Sequence, residues 1–462
     1  MESTRGSLSA LHYWGLFVLL LAVFLVCNDF SAFSTSIVSV EGSFSVGIAV
    51  GHWLVNTYVL VFGVLIVTSG NLADIYGRKR IFLIGIAVIA VFSLLGGMAE
   101  KVWLLLLSRA FIGVGGALAW ASILGMAYSL MPKERAGQTG GLILAVTGLA
   151  SAFGPVIGGV FSDYLSWRWI LFSNIPLSIL IMIICWSKYP SDNVNRPSKG
   201  IDYLGVLTLS VALFCFLLAM DEIEQIGFWN NIIASLLALS FVFLSAFVLI
   251  EFWTKDNALM PVRLLVNRSF MASALSMLFV AVAFFSTLFY IPQLFIKVHG
   301  YTSLQAGFAL LPLMAASGVF ALISGVLHEK LGAKILICGG ALGMCAGLFM
   351  LSDLEGEVNY VAYLPGLLLV GTSIGVYSPA IITAAITAVT PGESSRTGSI
   401  IYMFKYIGGA LGLGVNATIL AISPDIATGI FRIFSVDAFL CLIGFSVSIL
   451  FISNDSVRSF RV

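Results

Sequence analysis

Charge is what this sequence has least of. Of its 462 residues only 10% are Asp, Glu, Lys or Arg, while 60% are hydrophobic. An average soluble domain carries roughly 25% charged residues. Mean hydropathy is +1.06. A soluble domain of this length cannot hide so much apolar surface, so the chain needs lipid as its solvent. That excludes a soluble enzyme, a nucleic-acid binder and a disordered chain. The formal net charge of +1 gives no signal for a polyanionic partner. Cysteine is scarce too. Cys27, Cys185, Cys215, Cys338, Cys345 and Cys441 form no CxxC pair and lie in apolar runs, which reads as buried free thiols. The four His residues are scattered, so no metal site is expected. No G-x-x-x-x-G-K-[ST] occurs, so ATP does not drive the chain directly and no cofactor is expected. Ten-residue segments of alternating polarity are absent, which excludes a membrane β-barrel.

What remains is apolar runs. A spanning helix needs about 20 mostly apolar residues. The sequence predicts an all-α integral membrane protein with fourteen spans, at 13–36, 49–71, 81–99, 103–130, 138–161, 168–186, 202–220, 229–253, 270–292, 303–326, 334–352, 359–387, 397–421 and 431–453. The run from Tyr13 reads as the first span, not a cleaved leader.

Basic residues set an expected orientation. With the N-terminus in the cytoplasm, seventeen of the 23 Lys and Arg fall inside. Lys101, Arg168, Lys297 and Arg432 fall outside, and Arg109 and Lys405 lie within spans. One missed or extra helix would destroy this bias, so it supports an N-in, C-in protein.

One internal repeat is visible. Gly70–Lys79 follows the second span and Gly325–Lys334 follows the tenth, and both read G-x-L-x-acid-x-x-G-x-K. Two parallel six-helix halves follow, at 13–186 and 270–453. Between them, 187–269 holds a cytoplasmic linker and two inserted helices, and 1–12 and 454–462 are cytoplasmic ends. Two such halves around a cavity make a transporter plan.

Several constellations carry chemistry. In the Gly70–Arg80 loop, Gly70 and Gly77 permit tight turns, while Asp74 can pair with Arg78 or accept bonds from a helix N-terminus. With Lys79 this makes a candidate gate. Gly154, Pro155, Gly158 and Gly159 allow close packing and a bend in the fifth span. Asp29 is the only acidic residue read as deep in a span. An intramembrane carboxylate is expensive and defaults to a functional reading, the alternative being a structural acid bonded to Asn28 or Ser31. Arg109 is a buried guanidinium that needs partners, or one that snorkels to the nearby interface. Lys405 sits mid-span and faces either the cavity or backbone carbonyls.

Gly70–Arg80 resembles the signature of the major facilitator superfamily. Gly154–Gly159 resembles its antiporter signature. Trp167–Pro176, Tyr290–Gln293 and Gly300–Gly307 are similar to segments of the fourteen-helix drug:proton antiporter branch, of the EmrB/QacA type. The chain departs from the family pattern at Ile112, Ala150 and Ile37-Val38. The resemblance implies that Asp29 and Arg109 couple protons to transport. It implies a proton-driven exporter of small lipophilic or amphipathic compounds in the inner membrane, with a periplasmic adaptor as a possible partner. Export of one metabolite, such as an amino acid or siderophore, is the alternative; a membrane enzyme or receptor is a weaker one. Candidate cavity groups are Asn28, Asn56, Tyr58, Trp120, Tyr290, Gln293, Tyr377, Tyr402 and Lys405. Their aromatics suit flat lipophilic molecules. The embedded charges Asp29, Arg109 and Lys405 sum to a net positive interior, which disfavours divalent cations as substrates.

Overall fold

Backbone polar groups in lipid have no water to bond, so each apolar run must satisfy its own as a helix. The computed structural model describes residues 10–130, 136–189, 202–227, 229–254, 258, 260, 262–354, 359–387 and 394–452. Residues 1–9 of the expected cytoplasmic end 1–12, all of the expected end 454–462, and Lys133, Arg135, Arg196, Lys199 and Lys255 of the charge bias lie outside the described residues. The helices are α1 (Ala10–Phe44), α2 (Ile48–Tyr76), α3 (Arg78–Gly97), α4 (Val102–Leu130), α5 (Ala136–Val160), α6 (Arg168–Lys188), α7 (Tyr203–Ile226) and α8 (Asn231–Thr254). A short α9 (Val262–Val266) precedes α10 (Arg268–Gln293), α11 (Ser303–Leu331), α12 (Ala333–Ser352), α13 (Tyr360–Thr387), α14 (Ser394–Ala421) and α15 (Ile426–Phe451). All but α9 are long and apolar enough to cross a membrane, giving the fourteen spans that the sequence predicts. Short π-helical segments, Phe161–Leu165 and Leu294–Val298, extend α5 and α10.

The segment Gly70–Arg80 is not the loop expected from sequence. α2 runs through Tyr76 and α3 starts at Arg78, so Gly77 alone breaks the helix, at φ 100° and ψ 130°. Its N–H still bonds the Ala73 carbonyl, at 3.0 Å. Gly332 does the same between α11 and α12, at φ 81° and ψ 161°, with its N–H 3.0 Å from the His328 carbonyl. A Cβ disfavours positive φ, so these are the positions where the repeat requires glycine.

The repeat extends to packing. In the first half α1 packs on α5 and α6, α2 on α4, and α3 on α4 and α6. In the second half α10 packs on α14 and α15, α11 on α13, and α12 on α13 and α15. Position for position the pattern is the same. The halves then meet through the fifth helix of each against the second helix of the other: α5 on α11, and α14 on α2. Of the inserted pair, α7 lies against α14 and α2, and α8 covers α7.

Lipid is as apolar as Leu, so helices gain little by burying apolar surface against each other. Small residues and buried polar pairs must specify the contacts. α5 supplies the small residues on both sides. A Cβ on Gly148 would lie 2.8 Å from the Gly318 Cα of α11, and one on Gly159 would lie 2.5 Å from the Leu304 Cα. On the other side, Cβ atoms on Gly154 and Gly158 would run into Ser31 and the Ala32 carbonyl of α1. Pro155 cannot donate a helical bond, which lets α5 bend between these two surfaces.

Candidate functional site

The buried centre of the first half is built on Asp29. α1 carries it, α4 brings Arg109 and α6 brings Asn174. Arg109 meets Asp29 Oδ2 at 2.7 Å, with the two side chains 0% and 2% exposed. The Asn174 amide donates to Asp29 Oδ1 at 2.7 Å and to the Ser93 hydroxyl at 3.2 Å. Arg109 Nε also donates to the Leu54 carbonyl at 3.3 Å. The guanidinium carbon lies 4.2 Å from the Phe33 ring centroid and 4.7 Å from that of Tyr58. Arg109 therefore faces the bundle interior and does not snorkel, and Asp29 is bonded to neither Asn28 nor Ser31. Asn174 and Ser93 are not among the residues that the sequence marks as candidates. Asn174 lies within the family-like segment Trp167–Pro176, which is the signal that could have found it.

The gate-like segment ties one half to itself. Arg78 donates to Asp74 Oδ1 at 3.1 and 2.9 Å, and to the Gly125 carbonyl of α4 at 2.9 Å. Lys79 donates to the Tyr189 and Trp186 carbonyls at the end of α6, at 2.6 and 3.3 Å. Gly70 approaches the other half: a Cβ there would lie 3.8 Å from the Ser399 hydroxyl of α14.

At the opposite end of the bundle, polar contacts cross between the halves. Lys297 pairs with Glu41 at 2.6 Å. Asp163 accepts from the Ser303 and Leu304 N–H groups, at 3.1 and 2.7 Å, capping the N-terminus of α11. Lys297 and Asp163 both sit in the π-helical turns, whose wider pitch re-aims side chains relative to a continuing α-helix. Sequence reasoning missed this latch. Charges at span ends read individually as interfacial residues, and nothing local announces their partners.

Between the halves lies a cavity of about 120 Å³. Of the candidate cavity residues, Trp120, Tyr402 and Lys405 line it, with Cys27, Phe30, Phe284 and Tyr406. The others lie elsewhere. Tyr58 packs on Arg109, and Asn28 is buried with its Oδ1 unpartnered. Asn56 borders a small space of about 10 Å³ beside His52 and Leu217. Tyr290 and Gln293 are buried in α10 with their polar side-chain atoms unpartnered. Tyr377 bonds Ser276 within the second half, at 2.7 Å.

The expectation that Asp29 is the only deep acid does not hold. Asp437 of α15 is fully buried, and the Asn416 amide spans its two oxygens at 3.3 and 3.2 Å while also contacting Ser286 Oγ at 2.6 Å. Glu251 in α8 is also fully buried and accepts from the Met260 N–H at 2.8 Å. The interior is therefore not net positive as counted from sequence. Hydrogen-bond donors from neighbouring helices make these acids tolerable, and a linear pattern does not show such donors.

Two pseudo-equivalent six-helix halves around a central cavity make up a transporter architecture. The Major Facilitator Superfamily profile matches residues 19–413, and the chain belongs to that superfamily. It is 30% identical over 413 residues to the puromycin resistance protein pur8 of Streptomyces alboniger, covering 88% of this chain and 81% of that one. It is 25% identical over 403 residues to the multidrug transporter protein MdtP of Bacillus subtilis, covering 87% and 74%. The multidrug resistance protein Stp of Mycobacterium tuberculosis is 28% identical over 403 residues, covering 87% and 74%. In fold, the nucleoside transporter NupG superposes with a TM-score of 0.67 at 13% identity, covering 95% of this chain and all of that one.

Proposed function

We propose that the protein is a proton-coupled exporter of small lipophilic or amphipathic compounds, working by alternating access in the inner membrane with both termini in the cytoplasm. The orientation rests on the excess of Lys and Arg on one side of the spans. The export reading draws on relatives named for drug resistance and on an aromatic cavity at the interface of the halves. The observation that carries proton coupling is the Asp29 carboxylate, 2% exposed and held by Arg109 and Asn174. A buried acid whose charge is answered by a movable cation can exchange a proton as that cation moves.

In this reading the Glu41–Lys297 and Asp163–α11 contacts close the periplasmic end while the cavity faces the cytoplasm. Rocking of the halves on the α5/α11 and α2/α14 contacts breaks the latch, and a shift of α4 against α1 within the first half moves Arg109 relative to Asp29. Asp74 and Arg78 then act as the cytoplasmic gate, and Gly154, Pro155, Gly158 and Gly159 form the hinge surface. Lipid and protons are its partners besides substrate; a periplasmic adaptor would dock at the latched end.

The test is uptake into everted vesicles with a panel of lipophilic compounds, with and without an imposed pH gradient. Gradient-dependent accumulation of at least one compound is expected. Uptake of every compound that ignores the gradient would overturn the coupling.

A further inference from the structure

The wall of the central cavity has a one-sided chemistry. Six aromatic rings face it, from Phe30, Trp120, Phe284, Phe285, Tyr402 and Tyr406. Among the described residues no Asp or Glu lines it, and Lys405 is its one charged side chain. Lys405 projects from mid-α14, with Nζ 5.6 Å from the Phe284 ring centroid and 5.9 Å from that of Tyr402. None of the ion pairs of the described residues includes it.

A second observation comes from another helix. The indole of Trp120, on α4, is 3% exposed and its Nε1 has no hydrogen-bond partner. Its ring stands edge-on to Tyr402, with centroids 5.8 Å apart. Lys405 and Trp120 therefore flank the same tyrosine ring, one from each half of the protein. The Lys405 ammonium and the Trp120 indole, whose N–H has no hydrogen-bond partner, thus stand on either side of Tyr402 in a wall of aromatic rings.

Leaving the indole N–H unanswered in a low-dielectric wall is costly, and an acceptor that reaches it together with the nearby ammonium removes that cost. An anion satisfies the ammonium and the N–H together. A cation in the same place meets repulsion from Lys405 with no carboxylate to offset it, and ring faces return less than a nearby like charge removes. The surrounding rings favour a flat apolar body, through stacking.

We propose that this cavity selects flat lipophilic organic anions, with the Lys405 ammonium and the Trp120 indole N–H binding a carboxylate or equivalent group between the aromatic rings. The proposal rests on the export reading and narrows its substrate class. It also binds the two halves together through the substrate, because Trp120 belongs to the first half and Lys405 to the second.

Equilibrium binding to the purified full chain in lipid nanodiscs, with no gradient, tests it. Three matched probes are 2-naphthoate, 2-naphthamide and 2-naphthylmethylammonium. The naphthoate should bind at least tenfold more tightly than the ammonium. Lys405→Gln should abolish that preference, and Lys405→Arg, which keeps the cation, should restore it. Trp120→Phe should weaken naphthoate several-fold while changing naphthamide less. Equal or tighter binding of the ammonium, no naphthoate binding, or an unchanged preference in a folded Lys405→Gln protein would overturn the assignment. If Lys405→Gln does not fold, the several-fold weakening of naphthoate relative to naphthamide in Trp120→Phe and competition of naphthoate by benzoate-type anions carry the test, and their absence overturns it. Binding without gradient-driven transport would defeat the export reading and leave this site standing. Gradient-driven export of the ammonium but not of naphthoate would do the reverse.

Discussion

Asp29 and Arg109 form an ion pair at 2.7 Å in which neither side chain is more than 2% exposed. Removing one member of such a pair leaves the other charge buried and unanswered. In the proposed mechanism the pair is a structural device in one state and, once Arg109 moves, a proton-accepting site in another. Asn174 and Ser93 extend the pair into α6 and α3, so four helices of the first half register its state.

Arg109→Met should destabilise the protein by about 3–5 kcal/mol, because it strands the Asp29 charge. Asp29→Asn/Arg109→Met should recover most of that loss and still fail to couple transport to protons. Thermal unfolding in detergent measures the first effect. A double variant no more stable than Arg109→Met would show that the pairing is not what the arginine supplies.

The Glu41–Lys297 contact joins α1 to the turn after α10, and so one half to the other. Glu41→Gln or Lys297→Gln should weaken the latched end by about 1 kcal/mol, roughly fivefold in the opening equilibrium. Cys27 is a native reporter because it lines the cavity. Its labelling by an impermeant maleimide from the latched side should rise several-fold in either variant. The swap Glu41→Lys/Lys297→Glu should return it towards wild type. Labelling unchanged in both single variants would remove the latch role.

Asp74 and Arg78 are 47% and 34% exposed, so the pair itself contributes only about 0.3–0.5 kcal/mol. The larger effect should come through Arg78 and the Gly125 carbonyl, which fix α2 to α4. Asp74→Asn should lower turnover several-fold with little change in substrate binding. Lost binding at unchanged turnover would place Asp74 outside the gate.

Gly158 offers a packing test. Gly158→Leu would drive a side chain into the Ala32 carbonyl and Thr35 of α1, and should abolish transport. Gly339→Ala has nothing within 4 Å and should be silent or slightly stabilising. Transport that survives Gly158→Leu would show that α1 and α5 do not need this close approach.

Sequence patterns made the helical architecture legible because lipid imposes it. Runs of about 20 apolar residues, the Gly70 and Gly325 repeats and the glycines of α5 are local signals, and each has a local structural cause. The break at Gly77 shows the limit of that reading: the repeat was visible, but the continuing helix around it was not, because polar residues at a helix end look like loop residues. The groups that answer Asp29 show the larger limit. Arg109 and Asn174 are 80 and 145 residues away from it in the chain, and only folding brings them together. Asp437 does not stand out in the sequence, because one carboxylate in an otherwise apolar span leaves the hydropathy of that span intact. Its amide partner Asn416 lies on a different helix.

Proton movement in reconstituted liposomes tests the account most directly. A pH-sensitive dye in the lumen reports protons while an exported compound runs down its own gradient through the purified protein. Substrate-driven proton movement is predicted for wild type, and none for Asp29→Asn inserted in equal amount and orientation. Undiminished proton movement in Asp29→Asn, or substrate movement in wild type with no proton movement, would contradict it.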